Sequence, residues 1–191
     1  IGGSEQGIIP VSSPEGIDVV SLNFFMPDEE QPVIWRGPLI AGAVKQFWTD
    51  VIWGELDYLI IDMPPGTGDV ALTVMQSIPI SGMVMVSTPQ DMVSMIVAKS
   101  INMVKAMNIP ILGVVENMSY MICPGCGDTI DIFNDGSVDD FLDRQKVKLL
   151  GKLPMTGDLA SISTSDGDGM SSEIVEIFDS IVDKLEQTLK G

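Results

Sequence analysis

Histidine is absent from this chain, which removes imidazole catalysis and His-rich metal sites together. Basic residues are scarce: 10 Lys and Arg stand against 27 Asp and Glu, a net charge of −17. A surface of that sign repels phosphate backbones and anionic lipid, so neither nucleic acid nor a membrane is expected as a partner. There is no run of about 18 apolar residues, so no segment is expected to span a bilayer. The opening Ile-Gly-Gly-Ser has no initiator Met, basic n-region or apolar h-region, so it reads as a start partway through a longer gene product rather than as a signal peptide. A cytoplasmic location is the resulting expectation. Cysteine is nearly missing as well, with only Cys123 and Cys126. A bridge across so short a loop would remove little chain entropy, so a structural disulfide is a poor reading. Two thiols this close more often hold a metal or do redox chemistry.

What is present suits a globular protein. Apolar residues make up 45% of the 191 and charged residues 19%, enough for one domain over 1–191 with a sizeable core. Ile8 to Ser13 and Ile17 to Phe25 alternate apolar and polar positions around Pro14-Glu15-Gly16, as a hairpin would. A helix is predicted from Pro38 or Leu39 to about Val51, with Leu39, Val44, Phe47 and Trp48 as its apolar contacts. Tyr58 to Asp62 reads as a buried strand ending in an acid, followed by a helix over about Val70 to Ser77. Buried strands at Gly82 to Ser87 and Ile111 to Glu116 flank a helix over Val93 to Met107. After residues 119–136, which break the rhythm, come a helix near Val138 to Arg144, a strand at Lys148 to Leu153 and a loop over 161–172. The last helix, Glu173 to Lys190, has Ile174, Phe178, Ile181, Leu185 and Leu189 on one face and reads as a docked core helix. Continuously apolar strands alternating with helices indicate an α/β fold, a mostly parallel sheet covered on both faces.

The most specific local signal is Asp62-Met-Pro-Pro-Gly-Thr-Gly-Asp69. An acid at the C-terminal end of a parallel strand lies where open α/β sheets bind ligands, and in P-loop proteins such an Asp holds Mg²⁺. Gly66 and Gly68 would let backbone N–H groups approach a terminal phosphate. The alternative is a tight strand-to-helix turn with Asp69 as N-cap. Arg36 invites a phosphate-neutralising role, although a stacking or salt-bridging Arg beside Trp35 is the commoner outcome. Met118 and Met121, near the cysteines, read as core filler or dimer-contact residues.

Four strings stand in register over about Gly7 to Gly157: Trp35-Arg36-Gly37-Pro38, the 62–69 segment, Gly113-Val-Val-Glu-Asn-Met-Ser119 and Cys123-Pro-Gly-Cys126. In that order and spacing the chain resembles the Mrp/ApbC-like family of P-loop ATPases that carry iron–sulfur clusters. The resemblance implies a three-layer P-loop NTPase-like fold of the MinD/Mrp type. It also implies that Asp62, Gly66, Thr67, Gly68 and Asp69 form the segment that senses the γ-phosphate, with ATP and Mg²⁺ as cofactors. Asn117 would read the adenine ring, its carboxamide offering a donor and an acceptor together. Pro154, with Leu153, would pack beside the base. The 119–136 stretch becomes a cluster-binding insertion. Two thiolates cannot complete a tetrahedral site, and in similar proteins a homodimer supplies the same CxxC twice, so that Cys123 and Cys126 of both copies hold one bridging 4Fe–4S cluster. Zn²⁺ in the same four-sulfur cage, a thioredoxin-like redox pair and unligated surface thiols stand beside that reading.

The chain also departs from the family pattern. Relatives have a glycine-rich Walker A loop with two lysines near the start of the domain, but no G-x-x-x-x-G-K-S/T string occurs here. That loop cradles the β-phosphate and supplies the Lys and hydroxyl ligands, so ATP affinity and hydrolysis are expected to be crippled. In similar proteins the strand before it is central, so the strands that flank it there are expected to present unpaired apolar edges. The expected function is an ATP-dependent carrier that assembles a cluster and hands it to apo iron–sulfur proteins. The rival classes are a non-enzymatic dimeric zinc- or iron-binding scaffold and a partitioning ATPase of the MinD/ParA type. The CxxC and the lack of a basic amphipathic C-terminal helix argue against the last.

Overall fold

The computed structural model describes residues 2–4, 7–25, 37–92, 95–131, 137–157, 159 and 170–190. Trp35 and Arg36, and most of the 161–172 loop, lie outside the described residues. The chain divides into two compact units, Ile1–Pro79 and Ile80–Gly191.

In the first unit, β1 (Gly2–Ser4) pairs antiparallel with β2 (Gly7–Ile9). The hairpin predicted around Pro14-Glu15-Gly16 is present: β3 (Val11–Ser12) pairs antiparallel with β4 (Asp18–Val19), and the Ser13 amide donates to the Ile17 carbonyl at 2.8 Å. It is shorter than the alternation suggested, because Leu22–Phe25 winds into a 3₁₀ turn. Helix α1 (Gly37–Thr49) brings the Phe47 ring against Phe25, with centroids 5.9 Å apart, while the Trp53 indole N–H donates to the Phe47 carbonyl at 2.9 Å. Helix α2 (Asp69–Ser77) packs on α1 and buries Ala71, Val74 and Met75. Leu39 and Trp48, expected as core contacts of α1, stay largely exposed.

The run from Tyr58 to Asp62 corrects the sequence reading. It forms no ladder with any described strand, and Ile60 is 90% exposed. A parallel strand satisfies its backbone N–H and C=O groups only through neighbours on its edges. With no such strand beside it among the described residues, the run is not drawn into a core and its side chains stay exposed.

The second unit meets the α/β expectation. Strands β5 (Met83–Ser87), β6 (Ile111–Ile122) and β8 (Leu149–Pro154) run parallel, with β6 in the middle. Alternation along β6 serves two layers. Val114 packs with Val97 and Ile101 of α4 (Met95–Ala106) and with Val138, Phe141 and Leu142 of α5 (Ser137–Gln145). Val115 packs with Leu150, Leu153 and Ile181 of α6 (Ser172–Lys190). Helices on both faces of a parallel strand account for its near-continuous hydrophobicity. A short helix, α3 (Pro89–Met92), precedes α4, whose predicted start at Val93 lies outside the described residues. Asn108, at φ 56°, ends the turn after α4, and Ile109 N–H returns to the Val104 carbonyl at 3.3 Å.

Gly113 permits the close approach of β6 and β8. A Cβ there would lie 2.5 Å from Leu150 Cγ and 2.9 Å from the Lys148 carbonyl oxygen. The inward face of α6 is Ile174, Ile177, Ile181 and Leu185, whereas Phe178 and Leu189 are exposed. At about 100° per residue both sit on the shoulder of the stripe rather than at its centre. No helix among the described residues is long and apolar enough to cross a membrane.

Candidate functional site

The sequence-predicted residues fall into two groups. Asp62, Gly66, Thr67, Gly68 and Asp69 belong to the first unit; Asn117, Cys123, Cys126 and Pro154 belong to the second.

In the first group, Asp62 is exposed and lies off any strand, so the expected placement at a strand's C-terminal end does not hold. Asp69 is not an N-cap. Gly68 occupies that position without a side-chain bond, and Asp69 is an acid in the first turn of α2, where the helix dipole favours it. Gly66 has φ +91°, and a Cβ added at Gly66 or Gly68 would meet nothing within 4 Å. The segment is thus an open approach to the N-terminus of α2 rather than an enclosed phosphate cradle. No G-x-x-x-x-G-K-S/T string occurs in this chain, so its described residues complete no such cradle and no hydrolytic step is derived from them.

The second group is built along β6. Its first half, to Glu116, is held between β5 and β8. At Asn117 the ladder breaks. The Asn117 carboxamide oxygen accepts the Met118 N–H at 3.0 Å, and Met118 adopts the left-handed conformation at φ 54°. That bond engages one acceptor site of Asn117 and leaves its NH₂ pointing to no described partner. The strand then resumes and pairs antiparallel with β7 (Thr129–Ile130), Met121 opposite Ile130 and Ile122 opposite Thr129. On the other side, Tyr120 is opposite Pro154, and its carbonyl accepts the Met155 N–H at 2.7 Å. Pro154 is fully buried as the last residue of β8, not displayed on a loop.

Cys123 follows directly, so the cysteines form the tip of a hairpin that grows out of the central strand. The tip is closed twice: Cys123 N–H donates to the Asp128 carbonyl and Gly127 N–H to the Cys123 carbonyl, both at 2.9 Å. Gly127, at φ +77°, supplies the left-handed corner that a Cβ would strain. The Cys123 thiol is half-buried and its pKa is held below the ordinary thiol value. The largest cause is the Cys126 backbone N–H directed at the sulfur, then the Gly125 N–H and the Cys126 side chain, against a smaller opposing effect of burial. Donors aimed at a sulfur favour the thiolate, the form that ligates metal. Cys126 is exposed and donates to an Asp128 carboxylate oxygen at 3.1 Å. Both sulfurs therefore lie at the hairpin tip, Cys123 half-buried and Cys126 exposed.

Three residues near the site escaped sequence reasoning. Glu116 is 3% exposed, accepts the Ser119 hydroxyl at 2.6 Å and lies 3.6 Å from the Lys152 ammonium of β8. The available signal was an acid closing an apolar strand, the same pattern that drew attention to Asp62.

The chain matches the ParA family, described as NUBPL iron-transfer P-loop NTPase, over residues 2–186. It is 46% identical over 189 residues to the iron–sulfur cluster carrier protein of Methanocaldococcus jannaschii, covering 94% of this chain and 64% of that protein. It is 44% identical to the carrier of Pyrococcus furiosus, covering 92% and 61%, and 40% identical to that of Aquifex aeolicus, covering 97% and 52%. The chain thus spans between about half and two thirds of these relatives. Among solved structures it resembles a nucleotide-binding protein from Archaeoglobus fulgidus in complex with ADP, with 34% identity, a TM-score of 0.67, and coverage of 97% of this chain and 65% of that one. By sequence and by fold, the chain belongs to the NUBPL-type iron-transfer P-loop NTPases of the ParA family, the Mrp/ApbC-like group.

Proposed function

We propose that this chain is the cluster-holding part of an iron–sulfur cluster carrier. In this reading two copies bring their hairpin tips together on a two-fold axis, and Cys123 and Cys126 of each hold one bridging 4Fe–4S cluster as cargo for apo iron–sulfur proteins. The observation that carries it is the hairpin itself: two sulfurs, one half-buried and one exposed, at the tip of an extension of β6, the first held toward thiolate by backbone N–H groups. Two sulfurs are half of the four that such a cluster takes, and a two-fold axis doubles them without further ligands. Residues 119–136 act as the cluster-binding insertion. Asn117, one strand segment away, is the base-reading residue of a nucleotide site, with Pro154 of β8 packing beside the base, and Asp62, Gly66, Thr67, Gly68 and Asp69 are the segment that senses a γ-phosphate.

A second reading has support in the exposed, uncradled 62–69 segment. It is a dimeric zinc- or iron-binding scaffold whose metal release ignores nucleotide. Anaerobic reconstitution with iron and sulfide, followed by iron counting and size exclusion, separates the two. The carrier reading expects a coloured dimer with about four irons per two chains, lost in Cys123→Ala/Cys126→Ala. A colourless protein that takes zinc equally well favours the scaffold. A monomer indifferent to the double substitution defeats both.

A further inference from the structure

Glu116 is a buried carboxylate with no role in the function proposed above. Its side chain is 4% exposed, and among the described residues its Oε2 accepts no hydrogen bond. A carboxylate withdrawn from water is costly unless well paired, and an apolar residue would serve the core at least as well. Its partners suggest what the cost maintains. Oε1 accepts the Ser119 hydroxyl at 2.6 Å, so Glu116 and Ser119 grip each other across Asn117 and Met118. Those two residues form the break in β6 where Met118 takes the left-handed conformation. A non-glycine residue there is strained and persists only where its surroundings fix it. Oε2 lies 3.6 Å from Lys152 Nζ, which ties the same break to β8 two residues before Pro154.

We infer that Glu116 is a positioning residue: by holding Ser119 and Lys152 it fixes the left-handed break at Asn117–Met118 and thereby sets the direction in which β6 presents the Cys123–Cys126 hairpin. The inference rests on the cluster-carrier reading for its purpose, though not for its geometry. Three features support it. The bonded partner is three residues along the same strand, so the clamp is local rather than a general core contact. Glu116 and Ser119 are both buried, Ser119 at 6%, whereas Met118 between them is 45% exposed and contributes little packing of its own, and the Lys152 side chain that meets Glu116 is half-exposed. Beyond Ser119 the hairpin takes its remaining order from short ladders to β7 and Pro154, so the angle at the break governs where the sulfurs point.

The test uses Ser119→Ala, which removes a single oxygen, with Glu116→Gln and Lys152→Met beside it. Hydrogen exchange of the apo-protein is followed in peptides covering 119–131 and in the core helices α4 and α5. Ser119→Ala is expected to speed exchange in the hairpin by about tenfold while leaving the helices unchanged, the size expected for losing one bond to a charged group. Glu116→Gln, whose amide oxygen still accepts from Ser119 but no longer attracts Lys152, should shift it less, in the same direction. After reconstitution, iron loss to a chelator should follow the same order, with an altered visible circular dichroism of the cluster. Unchanged hairpin exchange, or helices loosening as much as the hairpin, overturns the inference. So does a loosened hairpin with unaltered iron loss and spectrum. If the hairpin loosens as expected but the wild type takes no iron at its cysteines, the carrier reading fails and the geometric clamp stands.

Discussion

Two apolar runs in this chain end in an acid, Tyr58-Leu-Ile-Ile-Asp62 and Ile111-Leu-Gly-Val-Val-Glu116, and they meet opposite fates. The second is the central strand of a three-layer unit, where Val114 is fully buried and Glu116 lies inside with partners. The first forms no ladder among the described residues and leaves Ile60 almost wholly in solvent. Hydrophobicity does not separate them, since both are rich in β-branched and aliphatic side chains. What separates them is edges. The 111–116 run has a strand on each side, β5 and β8, and helices over both faces. The lesson is that burial of a strand is conferred by its neighbours: backbone groups must be paired before apolar side chains can leave water.

Four measurements test how far neighbours govern order in this chain. The largest effect is expected from Leu150→Ala, which empties a fully buried position beside β6. It should cost about 3 kcal/mol in denaturant unfolding of the second unit, and a loss under about 1 kcal/mol would mean that this core is less tightly packed than described. Gly127→Ala comes next. Its φ of +77° should cost about 1 kcal/mol, confined to the hairpin, and should be visible as faster exchange of the Cys123 and Gly127 amides with little change in melting of the helices.

The third concerns pH. Because the folded Cys123 pKa is depressed, folding favours the thiolate. That contribution is fully present above the unfolded thiol pKa and disappears as pH falls through the lower folded value. Alkylation of Cys123, read by peptide mass, should therefore keep its rate to lower pH in the native chain than in the denatured chain, and coincident profiles would remove the N–H donors as a cause. The smallest effect is expected from Ile60→Ser. At 90% exposure it should change stability by less than about 0.5 kcal/mol, whereas a loss above 1 kcal/mol would show that the 58–62 run is covered in solution.

Much of the second unit was legible beforehand. The helices near Val138 and Glu173 and the strand at Lys148 appear within a residue or two of their expected bounds, and the strand at Ile111 starts where expected but runs to Ile122 rather than Glu116. The cysteine pair was legible as a ligand pair by spacing. Less legible were the course of β6 through 119–122 and the burial of Pro154. Both depend on pairing with residues far along the chain, Ile130 with Met121 and Tyr120 with Pro154. The inward face of α6 was nearly right, but the stripe had two shoulders and the sheet chose Ile177 over Phe178. The alternative reading of Asp69 as N-cap is off by one residue, since Gly68 occupies that position, a difference that local patterns rarely resolve.

By itself the sequence determined the class of the protein: an acidic, His-free α/β chain with one thiol pair and a family signature spread over most of its length. Those properties are local or additive, so they survive without knowledge of contacts. Tertiary structure alone decided which apolar run becomes a core strand, that the cysteines ride on an extension of that strand, and that Glu116 is drawn inside to grip Ser119 and Lys152. Each of these is a matter of what lies beside a residue in space. A carboxylate at the end of a strand is exposed or buried according to neighbours that its own sequence does not name.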